Sequence, residues 1–381
     1  MTQNGIIWKE CKGKVGKTQH LNGNRKVDLS QAPWRMLEFF AGSGLVAYGM
    51  QGNFAPIWSN DISEKKARVY RANFQSEHFV QGDICDIEGG TLPAAHLSWA
   101  SFPCQDLSLA GNLRGIYAKR SGVVWEWLRV LDEMKKPPKI LALENVPGLF
   151  SASQGKNYIC LHEALVQRGY RCGAITLNAE KFVPQSRKRV FVIGVKKGVD
   201  IPEKLISLGP NWLHSGALEM IGTRMDDWIW WTTEEPKGRK LCLADLLEQE
   251  AIFDRDDVLS LVPEQMMAKL RSMNDVVATG YRRTRQGRQR LELRFDGLAG
   301  CLRTPSGGSS KQFVVVRKNG ENHARLLTVR EAARLMGAPD SFFLPGSCSD
   351  GYFAMGDAVV MPVVTFLAER FLRILAEAAY R

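Results

Sequence analysis

Several protein classes are excluded by what this chain lacks. Its eight cysteines, at positions 11, 85, 104, 160, 172, 242, 301 and 348, form no C-x-x-C pair, and none adjoins a histidine cluster. That pattern argues against a zinc site and a disulfide framework, and predicts reduced thiols in a cytoplasm and no metal. No apolar run is long enough to span a bilayer, so no membrane association is expected. The opening residues, "MTQNGIIWKECKGKVGK", have neither the apolar core nor the small-residue cleavage site of a secretory signal. Acidic charge is in short supply, with 40 Asp and Glu against 51 Lys and Arg, a net of +11. An excess of that sign suggests a polyanionic partner.

What is present is ordinary globular material. The 381 residues are 45% hydrophobic and 24% charged, enough for one large domain or two modest ones. Residues 1–33 read as a basic arm. Strand-like and helix-like runs then alternate: "WRMLEFF", a glycine turn and a helix from Leu45; "APIWSN" and "SEKKARVYRANF"; "HLSWASF" and "GVVWEWLRVLDEMKK"; "KILALENV" and "NYICLHEALVQRG"; and a last strand, "RVFVIGV". The alternation predicts an α/β fold, a doubly wound and mostly parallel sheet covered by helices. Near the C-terminus, Val364, Leu367, Phe371 and Ile374 share one helical face and are expected to pack onto it.

Charge is unevenly spread. Residues 196–280 carry ten Lys and Arg against fifteen Asp and Glu, whereas residues 281–318 carry ten against two. Six arginines crowd "YRRTRQGRQRLELRF": Arg282, Arg283, Arg285, Arg288, Arg290 and Arg294. This is either a solvated hairpin rim or a surface that tracks phosphates. The aromatic run "DDWIWWTTEEP" is expected to pack a small lobe rather than to stack on bases.

Three elements fall at strand ends, where such sheets bind ligands. In "FFAGSGLVA", Gly42, Gly44 and Ala47 satisfy G-x-G-x-x-[GA], and Asp61 ends the next strand, where it can accept ribose hydroxyls. Taken alone, this suits a nicotinamide dehydrogenase as well as a methyltransferase, or simply a tight turn. Asp83, in "QGDICDI", is either an adenine contact or a cap. Cys104, in "SFPCQDLSL", is either a thiolate nucleophile or a buried inert thiol. Glu144, in "ENVPGLF", is either a cap or an acid with a raised pKa.

Their order resolves the choice. The glycine turn, PCQ at 103–105, ENV at 144–146 and QSRKR at 185–189 resemble the DNA cytosine-5 methyltransferases of bacteria and phages. The likeness continues in "RLLTVREAARLMGAPDSF" and "GDAVVMP", and so covers most of 34–195 and 325–381. It implies a Rossmann-like catalytic domain over 34–195, completed by 325–381, with a smaller target-recognition lobe at 196–324. The implied reaction moves a methyl group from S-adenosylmethionine to C5 of a cytosine flipped out of a short specific sequence in double-stranded DNA. It runs through a covalent adduct between Cys104 and ring C6, with Glu144 at N3 and Arg187 at O2. The implied cofactor contacts are Phe40, Gly42, Gly44, Asp61, Asp83, Ile84, Asp357 and Val359. DNA would meet Gln105, Ser108, Arg189, Arg282, Arg283, Arg285 and Arg303. A monomer is expected, since flipping one base needs one site, and a cognate restriction endonuclease acting separately is the companion this family suggests.

Some positions depart from the family pattern. Glu38 stands for a common Asp, Leu45 for a glycine, His96 for an acidic residue, Asp357 for an Asn and Cys301 for a Thr. Two other readings stay open: a tRNA cytosine-5 methyltransferase with the same chemistry, and a NAD-dependent dehydrogenase using the glycine turn.

Overall fold

The computed structural model describes residues 26–103, 122–305, 310–344 and 346–380. Cys104, Gln105 and Ser108 therefore lie outside the described residues. Strand β1 (Trp34–Phe39) leads into α1 (Leu45–Met50), β2 (Phe54–Asp61), α2 (Glu64–Asn73) and β3 (Phe79–Gln81). Next come β4 (Leu97–Ala100), α3 (Val123–Glu133), β5 (Ile140–Asn145), α4 (Gly148–Ser151), α5 (Lys156–Gln167), β6 (Tyr170–Asn178) and β7 (Lys188–Lys196). These seven strands form one sheet in the order β3-β2-β1-β4-β5-β7-β6. Pairing is parallel from β3 through β5, while β7 runs antiparallel to both β5 and β6. The mostly parallel sheet agrees with the alternation of the sequence. β6 was not anticipated, and "RVFVIGV" is the antiparallel strand beside it.

Burial on both faces explains the apolar strands. Met36, Phe54, Trp99 and Ile193 pack on one side, and Leu37, Phe39, Leu141 and Val192 on the other. After α6 (Gly216–Gly222) and α7 (Glu264–Arg271), the strands β8 (Val276–Arg285), β9 (Arg288–Arg294), β10 (Gln312–Lys318) and β11 (Glu321–Leu326) make an antiparallel sheet ordered β11-β10-β8-β9. The chain returns through α8 (Val329–Leu335), α9 (Cys348–Asp357), α10 (Met361–Leu367) and α11 (Arg373–Tyr380). α8 starts on a capping box in which Thr328 and Glu331 satisfy each other's backbone amides. Val364, Leu367 and Phe371 are buried against the large sheet, as their spacing predicts.

The stretch 196–324 is not uniform. Leu205, Leu213, Ile229, Trp231, Leu243 and Leu246 belong to the core of the large sheet, and a separate core, around the small sheet, starts at Val258. The aromatic run was expected to pack a small lobe; instead it lies on the large sheet. The Ile229 amide donates to the Cys172 carbonyl at 3.1 Å, and Trp231 Nε1 to the Gly173 carbonyl at 3.2 Å. The arm is likewise anchored at its end: the Val27 amide donates to the Asn73 carbonyl at 2.8 Å, and Leu29 is buried.

Candidate active site

A cavity of ≈ 630 Å³ opens at the carboxyl ends of β1, β2, β4 and β5. Phe40, Gly42, Asp61, Asp83, Ile84, Glu144, Arg187, Arg189, Asp357 and Val359 all line it. At one end, β1 leaves the sheet through a tight turn. Phe40 has φ +58° and Gly42 φ +59°, and a bulky residue in the left-handed region is an outlier of the kind that marks functional turns. Asp61 is held by two backbone amides, Gly42 N–H to Oδ2 and Ser63 N–H to Oδ1, each at 2.8 Å. Asp83 caps the turn after it by accepting from the Cys85 amide at 3.0 Å, and still lines the cavity. Ile62, which sequence reading passed over, is 66% exposed at this rim, an apolar platform beside two carboxylates.

Gly44 is a correction. It does not line the cavity; a Cβ there would sit 2.4 Å from the Phe74 ring and 2.9 Å from the Tyr70 ring. Its glycine permits close packing against α2 rather than contact with a ligand.

The other end of the cavity is built by β5, β7 and a returning segment. Glu144 ends β5, buried, and its Oε1 meets Arg189 Nε at 2.9 Å. Burial pushes its pKa up, against the pull of Arg189 and Arg187. Asn145 donates to the Phe102 carbonyl at 3.1 Å, tying the end of β5 to the segment that carries Pro103 into the cavity wall. Arg187 turns both terminal nitrogens elsewhere, while its buried Nε has no partner among the described residues. Nη1 donates to the Leu302 carbonyl (2.8 Å) and Cys301 Sγ (3.4 Å), and Nη2 to the carbonyls of Gly356 (3.0 Å) and Ala358 (2.8 Å). Arg189 thus faces the acid, and Arg187, expected at the base O2, instead clamps two backbone segments, 301–302 and 356–358. The register behind this is nonlocal. Ser186 N–H donates to the Ala299 carbonyl at 2.9 Å, and Gln185 accepts from the Leu302 amide at 3.1 Å. Arg303 lines a separate small gap beside Tyr352.

Beyond the cavity, the expected arginine run forms the β8–β9 hairpin. Pairing sets Tyr281 opposite Glu292, Arg283 opposite Arg290 and Arg285 opposite Arg288, all on one face. Arg282 pairs with the buried Leu291 and so belongs to the other face. Tyr281 Oη donates to the Cys301 carbonyl at 2.6 Å, which joins the arginine-bearing face to the cavity wall.

The geometry separates two readings of the glycine turn. A diphosphate needs free backbone amides, yet those of Ala41, Gly42 and Gly44 donate to Asn60, Asp61 and Ala41 respectively. The comparisons agree. A family model described as C-5 cytosine-specific DNA methylase matches residues 34–373.

The chain belongs to that family.

It is a DNA (cytosine-5-)-methyltransferase, and the dehydrogenase reading falls. The methylase is 26% identical over 348 residues to the type II methyltransferase M.MspI of Moraxella sp., covering 90% of this chain and 71% of that protein. It is 26% identical over 337 residues to M.HhaI of Haemophilus parahaemolyticus, covering 88% and 93%. Among solved structures, a Spodoptera frugiperda DNMT2 mutant matches with TM-score 0.61 at 17% identity, over 90% of this chain and 99% of that one. The S. pombe Dnmt2 methyltransferase matches with TM-score 0.57 at 19% identity, over 91% and 100%. These structural likenesses show the fold. No helix among the described residues is long and apolar enough to cross a membrane.

Proposed function

We propose that the methylase transfers the methyl group of S-adenosylmethionine to C5 of a cytosine flipped out of duplex DNA, by way of a Cys104–C6 adduct. The observation that carries this reading is one cavity with two chemically distinct ends. Asp61, Asp83, Ile62 and Ile84 suit a nucleoside, and Glu144 with Arg189 suits a pyrimidine. When bound, the cofactor supplies a methyl group on a sulfonium, an electrophile that cytosine C5 is too weakly nucleophilic to attack unaided.

The protein's part is to make C5 nucleophilic. Cys104 follows Pro103 at the cavity wall, and its thiolate adds to C6, moving the ring electrons toward C5. Glu144 hands its proton to N3 as this charge develops, which requires a carboxyl still protonated near neutral pH, and burial favours that form. Arg189 then stabilises the carboxylate left behind and reaches toward the base, a role the sequence had assigned to Arg187. Loss of the C5 proton to a base, return of the N3 proton to Glu144 and expulsion of Cys104 as thiolate restore the aromatic ring.

Extruding the base costs about a few kcal/mol, offset by contacts to the duplex. The arginine face of β8–β9 provides them. The target-recognition role expected of 196–324 falls to its later part, from Val258 onward, with 34–195 and 325–381 forming the catalytic lobe. A monomer suffices, and a separately acting restriction endonuclease fits relatives named as type II methyltransferases. The test uses labelled S-adenosylmethionine with mixed-sequence duplex DNA and, in parallel, tRNA, followed by bisulfite mapping. Label on DNA cytosines in one short context, lost in Cys104→Ser, supports the reading. Label on tRNA alone moves the activity to RNA.

A further inference from the structure

We propose that Lys66 and Asp357 form the subsite for the amino-acid end of the cofactor, an ammonium and a carboxylate read by an opposite pair. This rests on the reading that S-adenosylmethionine fills the cavity. Lys66 Nζ, on α2, and Asp357 Oδ2, at the end of α9, lie 2.9 Å apart, and both side chains line the cavity wall. Each remains open to solvent, with 21% and 48% of the side chain exposed.

The other charged groups of the wall are already engaged. Both oxygens of Asp61 accept backbone amides, and Asp83 accepts the Cys85 amide. At the far end Arg187 is bound by carbonyls and Arg189 by Glu144. Arg187 and Arg189 stand at the Glu144 end of the wall, whereas Lys66 stands on the helix that follows Asp61, and its partner Asp357 is half exposed, so this is the ion pair a ligand carboxylate can enter. A zwitterion inserted between the two side chains replaces one ion pair with two, and brings no net charge into the site.

Two further features fit. Lys65 pairs with Asp350 at 2.9 Å, so α2 and α9 stay joined when the inner pair separates. Asp357 also stands where the resemblance expects Asn. An amide can donate to a carboxylate and an aspartate cannot; Lys66 supplies the missing donor.

Calorimetry on the full chain tests this without turnover. The probes are S-adenosylhomocysteine, which keeps the amino-acid end, and 5′-methylthioadenosine, which lacks it. Lys66→Gln is expected to weaken the first about tenfold, the scale of one charge-assisted hydrogen bond, and the second less than about twofold. Adding Asp357→Asn to Lys66→Gln removes the ammonium's partner as well, and is expected to weaken the first probe further while the second again changes less than about twofold. Thermal melts check that the variants fold. Equal losses for both probes, or no loss for either, would overturn the assignment. If neither probe binds the unaltered chain, the cofactor reading fails and takes the subsite with it.

Discussion

At the open end of the seven-stranded sheet, charges come with partners. Asp61 has two amides, Glu144 has Arg189, and Lys66 has Asp357. The β8–β9 hairpin is arranged differently: Arg283 stands opposite Arg290 and Arg285 opposite Arg288, with Glu292 countering Arg285. Like charges directly across a ladder destabilise a hairpin, so local stability does not explain their placement. The first region is organised for small, oriented ligands before any arrive. In the second, a polyanion lying across the face would relieve the repulsion that remains. A methyltransferase working on DNA needs both, precision where bonds change and sequence-tolerant grip where the backbone runs.

Arg187 and Arg189, two residues apart, divide stability from chemistry. Arg187→Ala strands three carbonyls and a thiol inside the protein, and is expected to cost about 3 kcal/mol or more of stability. Arg189→Ala should instead leave folding nearly intact, because burial already favours the protonated Glu144 carboxyl, while the methyl-transfer rate falls about a hundredfold. Urea melts and single-turnover rates on both variants separate the roles. An Arg187→Ala protein as stable as the unaltered chain would contradict the clamp.

Next in size is Glu38, a carboxyl inside the apolar layer of β1. Its Oε2 accepts from Ser59 Oγ at 3.2 Å, its Oε1 has no partner, and burial pushes its pKa up to about 8 from 4.5. Since the folded value lies above the unfolded one, the stabilising contribution is full below pH 4.5. It is lost as pH rises toward about 8, at about 1.4 kcal/mol per unit across that window. Glu38→Gln should therefore lose less stability than the unaltered chain between mildly acid and mildly alkaline pH. Parallel profiles in urea melts would show that Glu38 does not titrate this way.

The hairpin gives the smallest change in stability and the opposite sign. Arg283→Ala, Arg288→Ala and Arg290→Ala together should raise stability by about 0.5 kcal/mol by removing like-charge repulsion. The same variant should flatten the dependence of log K on log salt by about 0.9 for each phosphate that is no longer neutralised. Arg282→Ala, on the other face, should move that slope less. An unchanged slope in the triple variant would remove the hairpin from the DNA face.

Much of the catalytic sheet and both ends of the cavity were legible in the sequence, because Gly42, Asp61 and Glu144 follow strands whose apolar runs are plain. What was hidden was decided at long range. β6 carries Gly173 and Ala174 at its centre, weak strand formers, and Gly173 has no room for a side chain because the Ile229 carbonyl lies over it. That Arg189 rather than Arg187 faces Glu144 depends on how segment 299–302 docks beside Gln185, more than a hundred residues away. Lys66 reads as one more lysine on a helix until α9 brings Asp357 to it. The glycine turn shows the reverse: its motif is visible but alone fits two uses, and the engaged amides favour one of them.

Addition of Cys104 to the target base can be caught as a trapped adduct. Duplex DNA containing 5-fluorocytosine in the methylated context is incubated with the methylase and S-adenosylmethionine, then denatured. Fluorine at C5 cannot leave as the proton does, so the adduct should persist as a protein–DNA complex resistant to denaturant. Its crosslinked peptide should contain Cys104, and Cys104→Ser should form none. Methyl transfer to ordinary DNA with no trapped complex, or a complex that survives Cys104→Ser, would contradict the account.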